Sequence, residues 1–398
     1  MMEITPRDQC CGCEACANIC PKNCISFKMD AEGFFMPEID PAMCVNCGLC
    51  KKVCPANSSA RYNGKSNSVY AAWALDDKIR TSSSSGGLYS VFAQDILDRG
   101  GIVNGTVFNG EQILIHDLFE TPEGVASCRG SKYVQSRAGM IYRETKKHLD
   151  AGRQVLFLST PCQVDALYRF LGKDYENLTT CDLLCHGTPS PGFFQQILSW
   201  IAPDHGELHN ITFRNVTGWG KCAIKAQSPS GEINETSIDR IYTKTFLVGL
   251  TLRKNCYACP YATERRVADL TIGDFWEIGR YRHFRHDTSK GVSVVLVNSA
   301  KGQALLDRVK DRLFLEKRAF SEARRENHQL YRPMSKPSGR ETFYQDAAEL
   351  PLEDLLRKYK LNPTKTGTLF RKILTFPFRA VRKIFRVTVK TLNLLDRP

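Results

Sequence analysis

Eight of the cysteines in the first 54 residues write one pattern twice. Cys10, Cys13, Cys16 and Cys20 are followed by Pro21, and Cys44, Cys47, Cys50 and Cys54 by Pro55. The first three cysteines of each run are separated by two residues. They must wrap one compact core within a single tight loop, with backbone amides turned inward, and the proline then ends the loop and turns the chain. A metal core is therefore expected. Zinc is the alternative, but its ligand doublets usually stand a dozen or more residues apart, not four within eleven. Cys11 and Cys24 are left over and read as small buried thiols.

The spacing C-x₂-C-x₂-C-x₃-C-P is that of bacterial two-cluster ferredoxins, in which the fourth cysteine of each run ligates the other cluster. That rule assigns one 4Fe–4S cluster to Cys10, Cys13, Cys16 and Cys54, and a second to Cys44, Cys47, Cys50 and Cys20. Iron–sulfur clusters carry single electrons, so the segment is expected to transfer electrons.

The chain has 398 residues, enough for two or three domains, and 42% of them are hydrophobic, which supports a proper core. The opening residues lack an apolar signal segment, and no apolar run approaches the roughly 18 residues of a membrane span. Many cysteines without a secretory signal point to a reducing compartment, so the expectation is cytoplasmic. The formal charge of +13 is local: Arg357 to Pro398 carries twelve Lys or Arg and one acid, a net of +11. The body is close to neutral, which argues against nucleic acid as a partner. In residues 369–395 apolar side chains (Phe378, Val381, Phe385, Leu392, Leu395) interleave with Arg379, Arg382, Lys383, Arg386 and Lys390. A basic amphipathic helix is expected there, suited to peripheral contact on the inner membrane face, with docking on the body or a partner as the alternatives.

The organisation reads as a ferredoxin-like module over 1–57, a polar linker over 58–68, a mixed α/β domain over 69–330 and a charged extension over 331–398. Strands are expected at 69–75, 102–108, 155–158, 178–184, 269–275 and 292–298, with helices at 88–99, 138–151, 164–171, 193–201 and 301–313. Residues 208–249 read as short antiparallel strands, and the pattern decays after 315.

Four segments at strand ends or helix starts carry chemistry. Ser82 to Ser85 with Gly86 and Gly87 precede a helix, where hydroxyls, close backbone approach and helix N-terminal amides can cradle an anion; a capping loop is the plain alternative. Gly130, Ser131, Lys132 and Tyr133, after Arg129, form a basic turn suited to a phosphate or flavin edge, or a solvated loop. Cys162 opens a helix after the strand VLFL, where its thiolate is favoured. Cys185-His186-Gly187 ends another strand. With the doublet Cys256 and Cys259, Cys162 and Cys185 make four candidate ligands of a third cluster; buried thiols beside a redox doublet are the other reading. His186 and Asp274 are candidate proton donors.

In order, SSSSGG, RGSKYVQS, STPCQVDAL, DLLCHGTPSP, CYACPYA and ADLTIGDFW followed by KGVSVVLVN resemble the coenzyme F420 hydrogenase/dehydrogenase beta subunit family over about residues 69–330. The resemblance implies an iron–sulfur flavoprotein with FAD or FMN, and a 4Fe–4S cluster held by Cys162, Cys185, Cys256 and Cys259. Ser84, Ser85, Gly86, Gly87 and Gly130 to Tyr133 would then lie near the flavin. It also implies hydride exchange with coenzyme F420 or another organic or deazaflavin substrate, and one-electron exchange with a ferredoxin or other redox protein. An electron-transfer subunit with no substrate site is the alternative. One departure concerns the turn after GDFW, where the family commonly has glycine and this chain has Glu277.

Overall fold

Alternation along single strands sets the architecture. Val155 and Phe157 pack into one buried cluster with Tyr142, Val164 and Leu167, while Leu156 between them packs into another with Phe92, Leu270 and Leu305. Side chains of period two feeding two cores require a sheet covered on both faces. The computed structural model describes residues 3–66, 68–214, 219–220, 222–234 and 237–361.

In chain order the strands are β1 (Ile25–Met29), β2 (Phe35–Ile39), β3 (Gly64–Lys65), β4 (Ser68–Ala74), β5 (Ile102–Phe108), β6 (Leu114–Phe119), β7 (Val155–Ser159), β8 (Leu178–Leu183), β9 (His209–Arg214), β10 (Cys222–Ser228), β11 (Gly231–Asn234), β12 (Arg265–Arg266), β13 (Leu270–Asp274), β14 (Ser293–Val297) and β15 (Leu313–Lys317). Eight of them form one mixed sheet in the order β15-β4-β14-β13-β8-β7-β5-β6. Its centre, β13-β8-β7-β5, is parallel, and the flanking pairs are antiparallel. The helices Ile141–Asp150 and Pro161–Leu171 supply one face, and Leu88–Asp98 and Ala300–Val309 the other.

The expected strands of the large sheet lie where the apolar runs place them, and the expected helices lie within a few residues, except that the one expected over 301–313 ends at Val309 and Leu313 already opens β15. Residues 208–249 differ. An antiparallel sheet β11-β10-β9 forms, but Ser237–Leu247 is a helix. Beyond 315, where periodicity fades, the chain still builds β15 and the helices Phe320–Arg325, Arg340–Glu349 and Leu352–Lys358.

The N-terminal module is two short helices, Ala15–Ile19 and Leu49–Lys52, with the hairpin β1–β2. Polar contacts hold it on the body. Tyr142 Oη donates to the Cys13 carbonyl at 2.8 Å, Arg143 to the Cys20 carbonyl at 2.6 Å, and buried Glu14 pairs with Arg137. The fully buried Arg340 forks onto the Glu32 carboxylate at 3.1 and 2.6 Å. The polar stretch after the module runs along the body: the Asn63 amide donates to the Arg266 carbonyl at 2.8 Å, and β3 pairs with β12.

The described residues up to 345 form one compact unit, and those from 346 onward a second. Within the second, Lys358 and Tyr359 both bond Asp346. The amphipathic segment expected over 369–395 lies outside the described residues. No helix among the described residues is long and apolar enough to cross a membrane.

Candidate functional site

Three neighbouring parallel strands end at one place. After β7 come Thr160 and Cys162, after β8 come Cys185 and His186, and β13 ends at Asp274. The C-terminal ends of parallel strands are where open α/β sheets leave a crevice for ligands. Here the crevice is a cavity of about 580 Å³, within the usual range for a small-molecule or cofactor site.

One wall is the serine loop. Ser82 and Ser83 spend their hydroxyls on the carbonyls of Lys78 and Ile79 at 2.7 Å, ending the preceding helix. Ser84 Oγ instead accepts from the Ser131 amide at 2.6 Å, which ties this loop to the Gly130–Tyr133 turn. The Gly86 amide donates to Ser293 Oγ at 2.9 Å, and a Cβ on Gly86 would stand 2.4 Å from the Ala72 carbonyl oxygen. Only glycine lets the loop lie this close to β4. Gly87 takes a φ of 82° as it opens the helix Leu88–Asp98.

Lys132 sits in this wall with its charge already used. Its ammonium donates to the carbonyls of Cys128, Arg129 and Gly130 at 2.9 to 3.2 Å, and burial pulls it down to about 8. Arg214, which sequence pattern did not single out, is the hub. It donates to both carboxylate oxygens of Asp274 at 3.2 Å, to Tyr133 Oη at 3.0 Å and to the Ser84 carbonyl at 2.9 Å. Trp219 Nε1 donates to Asp274 at 2.6 Å. Asp274 is thus an acceptor that fixes Arg214, and Arg214 fixes both loops. Nothing in the spacing of FRNVTGW marks this arginine, because its partners come from three distant segments.

At the far end His186 meets His328 and Gln329, two further residues the sequence did not announce. The rings of His186 and His328 stand 5.3 Å apart, and Gln329 Nε2 approaches His186 Nδ1 at 3.3 Å. Burial, then the neighbouring His328, hold His186 down at about 4, so the ring is neutral near pH 7. Among the described residues, His186 Nε2, His328 Nε2 and Gln329 Oε1 are buried with no hydrogen-bond partner. All three residues line the cavity. Buried polar atoms without partners are rare and costly, and three at one cavity mark a surface made to meet a polar ligand.

The sulfurs fall into three groups. Cys16 is pushed up by burial and then by Cys10 and Cys54, so the first run meets the last cysteine of the second. Cys20 lines one small cavity with Cys44, Cys47 and Cys50. Cys185 is pushed well up by burial and then by Cys256, Cys162 and Cys259, while burial and Cys256 raise Cys259 to about 12. Crowded, buried thiols of this kind become thiolates only with cationic metal to offset their charge. Among the described residues no three His, Cys, Asp or Glu side chains converge as they would on a single ion. A four-iron cube holds its ligands farther apart than one ion does. Cys11 packs in the same cluster as Cys13 and Cys162, and so lies between the first group and the third. Cys24 lies 3.3 Å from Cys20, sulfur to sulfur.

Residues 9–58 match the 4Fe-4S dicluster domain. Residues 69–141 match the N-terminal part, and 152–323 the C-terminal part, of the coenzyme F420 hydrogenase/dehydrogenase beta subunit. Among solved structures the chain is similar to a chain of the F420-reducing [NiFe] hydrogenase complex from Methanosarcina barkeri, at 17% identity. That match covers 65% of this chain and 84% of the other, with a TM-score of 0.43. No curated protein matches the chain. With both parts of one domain matched in order behind a dicluster domain, the chain belongs to the coenzyme F420 hydrogenase/dehydrogenase beta subunit family.

Proposed function

We propose that this iron–sulfur redox protein is a flavoprotein oxidoreductase. It would couple single-electron transfer through three 4Fe–4S clusters to two-electron, hydride-scale reduction or oxidation of an organic substrate or deazaflavin coenzyme. The observation that carries the reading is the shared cavity: Cys162 and Cys185 of the third sulfur group line the same space as the serine loop, Arg214 and His186. A cavity of this volume also favours a chain with its own substrate site over one that only relays electrons.

The residues fit a flavin in three respects. The Ser84–Gly87 loop and the Gly130–Tyr133 turn are joined across the cavity wall and offer hydroxyls, amides and glycine backbone to a phosphate or ring edge. The orphan atoms of His186, His328 and Gln329 offer donors and acceptors to a heterocycle. The third sulfur group borders the space, so an electron has a short path. A bound flavin would supply the exchange between electron pairs and single electrons.

Cys162, Cys185, Cys256 and Cys259 would hold the third cluster. His186 is neutral near pH 7 and lines the cavity, with Gln329 Nε2 3.3 Å from its Nδ1. We assign it the proton-bearing role there. Asp274 is assigned the task of fixing Arg214.

Anaerobic purification with iron, sulfide and flavin quantified tests the reading. About twelve irons and one flavin per chain are expected, from three four-iron clusters. Eight irons without flavin would leave only the N-terminal module as a redox unit.

A further inference from the structure

The two cysteine groups of the module differ in their access to solvent. Cys10, Cys13, Cys16 and Cys54 are buried, and Arg253 and Tyr142 of the body close over that group. In the other group Cys47 is exposed. Its surroundings are unusual for a solvated surface. Val45 is 57% exposed, Met43 50% and Leu49 37%, three large apolar side chains within seven residues of chain. Lys22, Lys51 and Lys52 are exposed around them, and among the described residues none of the three pairs with a carboxylate. Lys22, Val45 and Leu49 line the same small cavity as Cys20, Cys44, Cys47 and Cys50, and Met43 and Lys51 are the chain neighbours of Cys44 and Cys50. The acid closest in sequence, Asp40, already accepts from the Ala42 amide.

An apolar centre with unpaired charges of one sign around it is the pattern of a transient docking face. The apolar collar excludes water from the electron path, and the lysines steer a partner of opposite charge. We propose that this face is the electron port of the protein, and that its partner is a small acidic one-electron carrier protein docking over Val45 and Leu49. Burial then orders the relay. The Cys20, Cys44, Cys47 and Cys50 cluster exchanges electrons with the partner. The Cys10, Cys13, Cys16 and Cys54 cluster passes them inward beneath Arg253, and the Cys162 group delivers them to the cavity. Each transfer moves one electron, from the reduced carrier to an oxidised cluster or in reverse, with no bond made or broken. The proposal rests on the cluster assignment of the preceding section.

The test uses the full, cluster-loaded protein under anaerobic conditions with a reduced acidic two-cluster ferredoxin as the probe. Cluster reduction is followed by rapid mixing and by electron paramagnetic resonance. Reduction of the wild type by this probe should slow as salt rises. The combined variant Lys22→Glu/Lys51→Glu/Lys52→Glu should accept electrons from it at least about tenfold more slowly. Its cluster signals and its reduction by dithionite, which needs no docking face, should match the wild type. Val45→Ser/Leu49→Ser should weaken the encounter while leaving its salt dependence in place. Wild-type rates in the charge-reversed protein, or faster exchange with a basic carrier such as a cytochrome c, would overturn the port. Missing cluster signals in the wild type would instead remove the cluster assignment itself, so the two failures are distinguishable.

Discussion

The guanidinium of Arg253 donates to the Cys10 carbonyl at 2.6 Å and reaches the Cys10 sulfur at 3.4 Å. Its other contacts are the Phe35 carbonyl at 3.2 Å, Gln135 Oε1 at 3.0 Å and the Met36 sulfur at 2.7 Å. The side chain is 3% exposed, and no carboxylate among the described residues faces it. A buried cation without a carboxylate is costly unless another negative group stands near. The thiolates that would hold the cluster proposed at Cys10, Cys13, Cys16 and Cys54 are such a group, with the body supplying the positive charge and the module the negative.

Arg253→Met should therefore shift the potential of the inner cluster downward, because a nearby cation favours the more negative, reduced state. It should also cost about 2–3 kcal/mol of stability through the lost charge-assisted hydrogen bonds. Arg253→Lys, which keeps the charge, should shift the potential less. A redox titration followed by electron paramagnetic resonance reads both, and an unchanged potential in Arg253→Met would refute the electrostatic role.

Cys11 separates ligands from bystanders. It lies between Cys13 and Cys162, yet the proposed ligand sets are complete without it. Cys11→Ala should keep the full iron content, whereas Cys162→Ala should lose about four irons and the signal of one cluster. Equal losses in the two variants would make Cys11 a ligand and reopen the assignment.

The doubled cysteine run and the strands of the large sheet were legible in the sequence because each depends on local spacing. Two-residue gaps specify a loop around a core, and runs such as VLFL specify a strand buried on both faces. The place of Cys162, Cys185 and the Ser84–Gly87 loop at strand and helix ends was legible for a related reason, since each follows or precedes a segment with a clear pattern. Arg214, Arg253, His328 and Gln329 were not. Each is an ordinary polar residue in its own segment, and its role arises only when the fold brings partners from 60 or more positions away, as Asp274 to Arg214. The helix Ser237–Leu247 was hidden because its Thr and Tyr residues and the turn signals before it favour strands locally, and packing overrode that preference.

His116 makes stability sensitive to acid. Its Nδ1 meets Asn104 Oδ1 at 3.1 Å and its Nε2 meets Ser136 Oγ at 3.0 Å, a network suited to the neutral ring. Burial lowers it to about 4, against a weaker opposing bond from Gln163. The unfolded chain, with an ordinary histidine near 6.5, binds more protons between those values, so stability falls as pH falls through that window. The full loss is about 3 kcal/mol from this one group. Anaerobic denaturant unfolding at several pH values should show it, and His116→Gln should flatten the slope between pH 6.5 and 4. An unchanged slope would place the acid sensitivity elsewhere.

Glu277 follows the GDFW turn at a φ of 54°, the left-handed region that glycine enters freely and a glutamate does not. Glycine would make this turn without strain, whereas glutamate strains to make it. The carbonyl of Glu277 accepts from the Arg280 amide at 3.0 Å, a backbone bond that survives any substitution. Its carboxylate stands 3.5 Å from Arg280 and is mostly exposed, which adds little. Relief of the left-handed strain, about 1–2 kcal/mol, outweighs that contact and the extra freedom glycine gives the unfolded chain. Glu277→Gly should stabilise the protein by about 0.5–1 kcal/mol with the cavity and its iron content unchanged. Denaturant unfolding beside iron analysis measures both. A destabilised variant would mean that Glu277 holds the turn through its side chain after all.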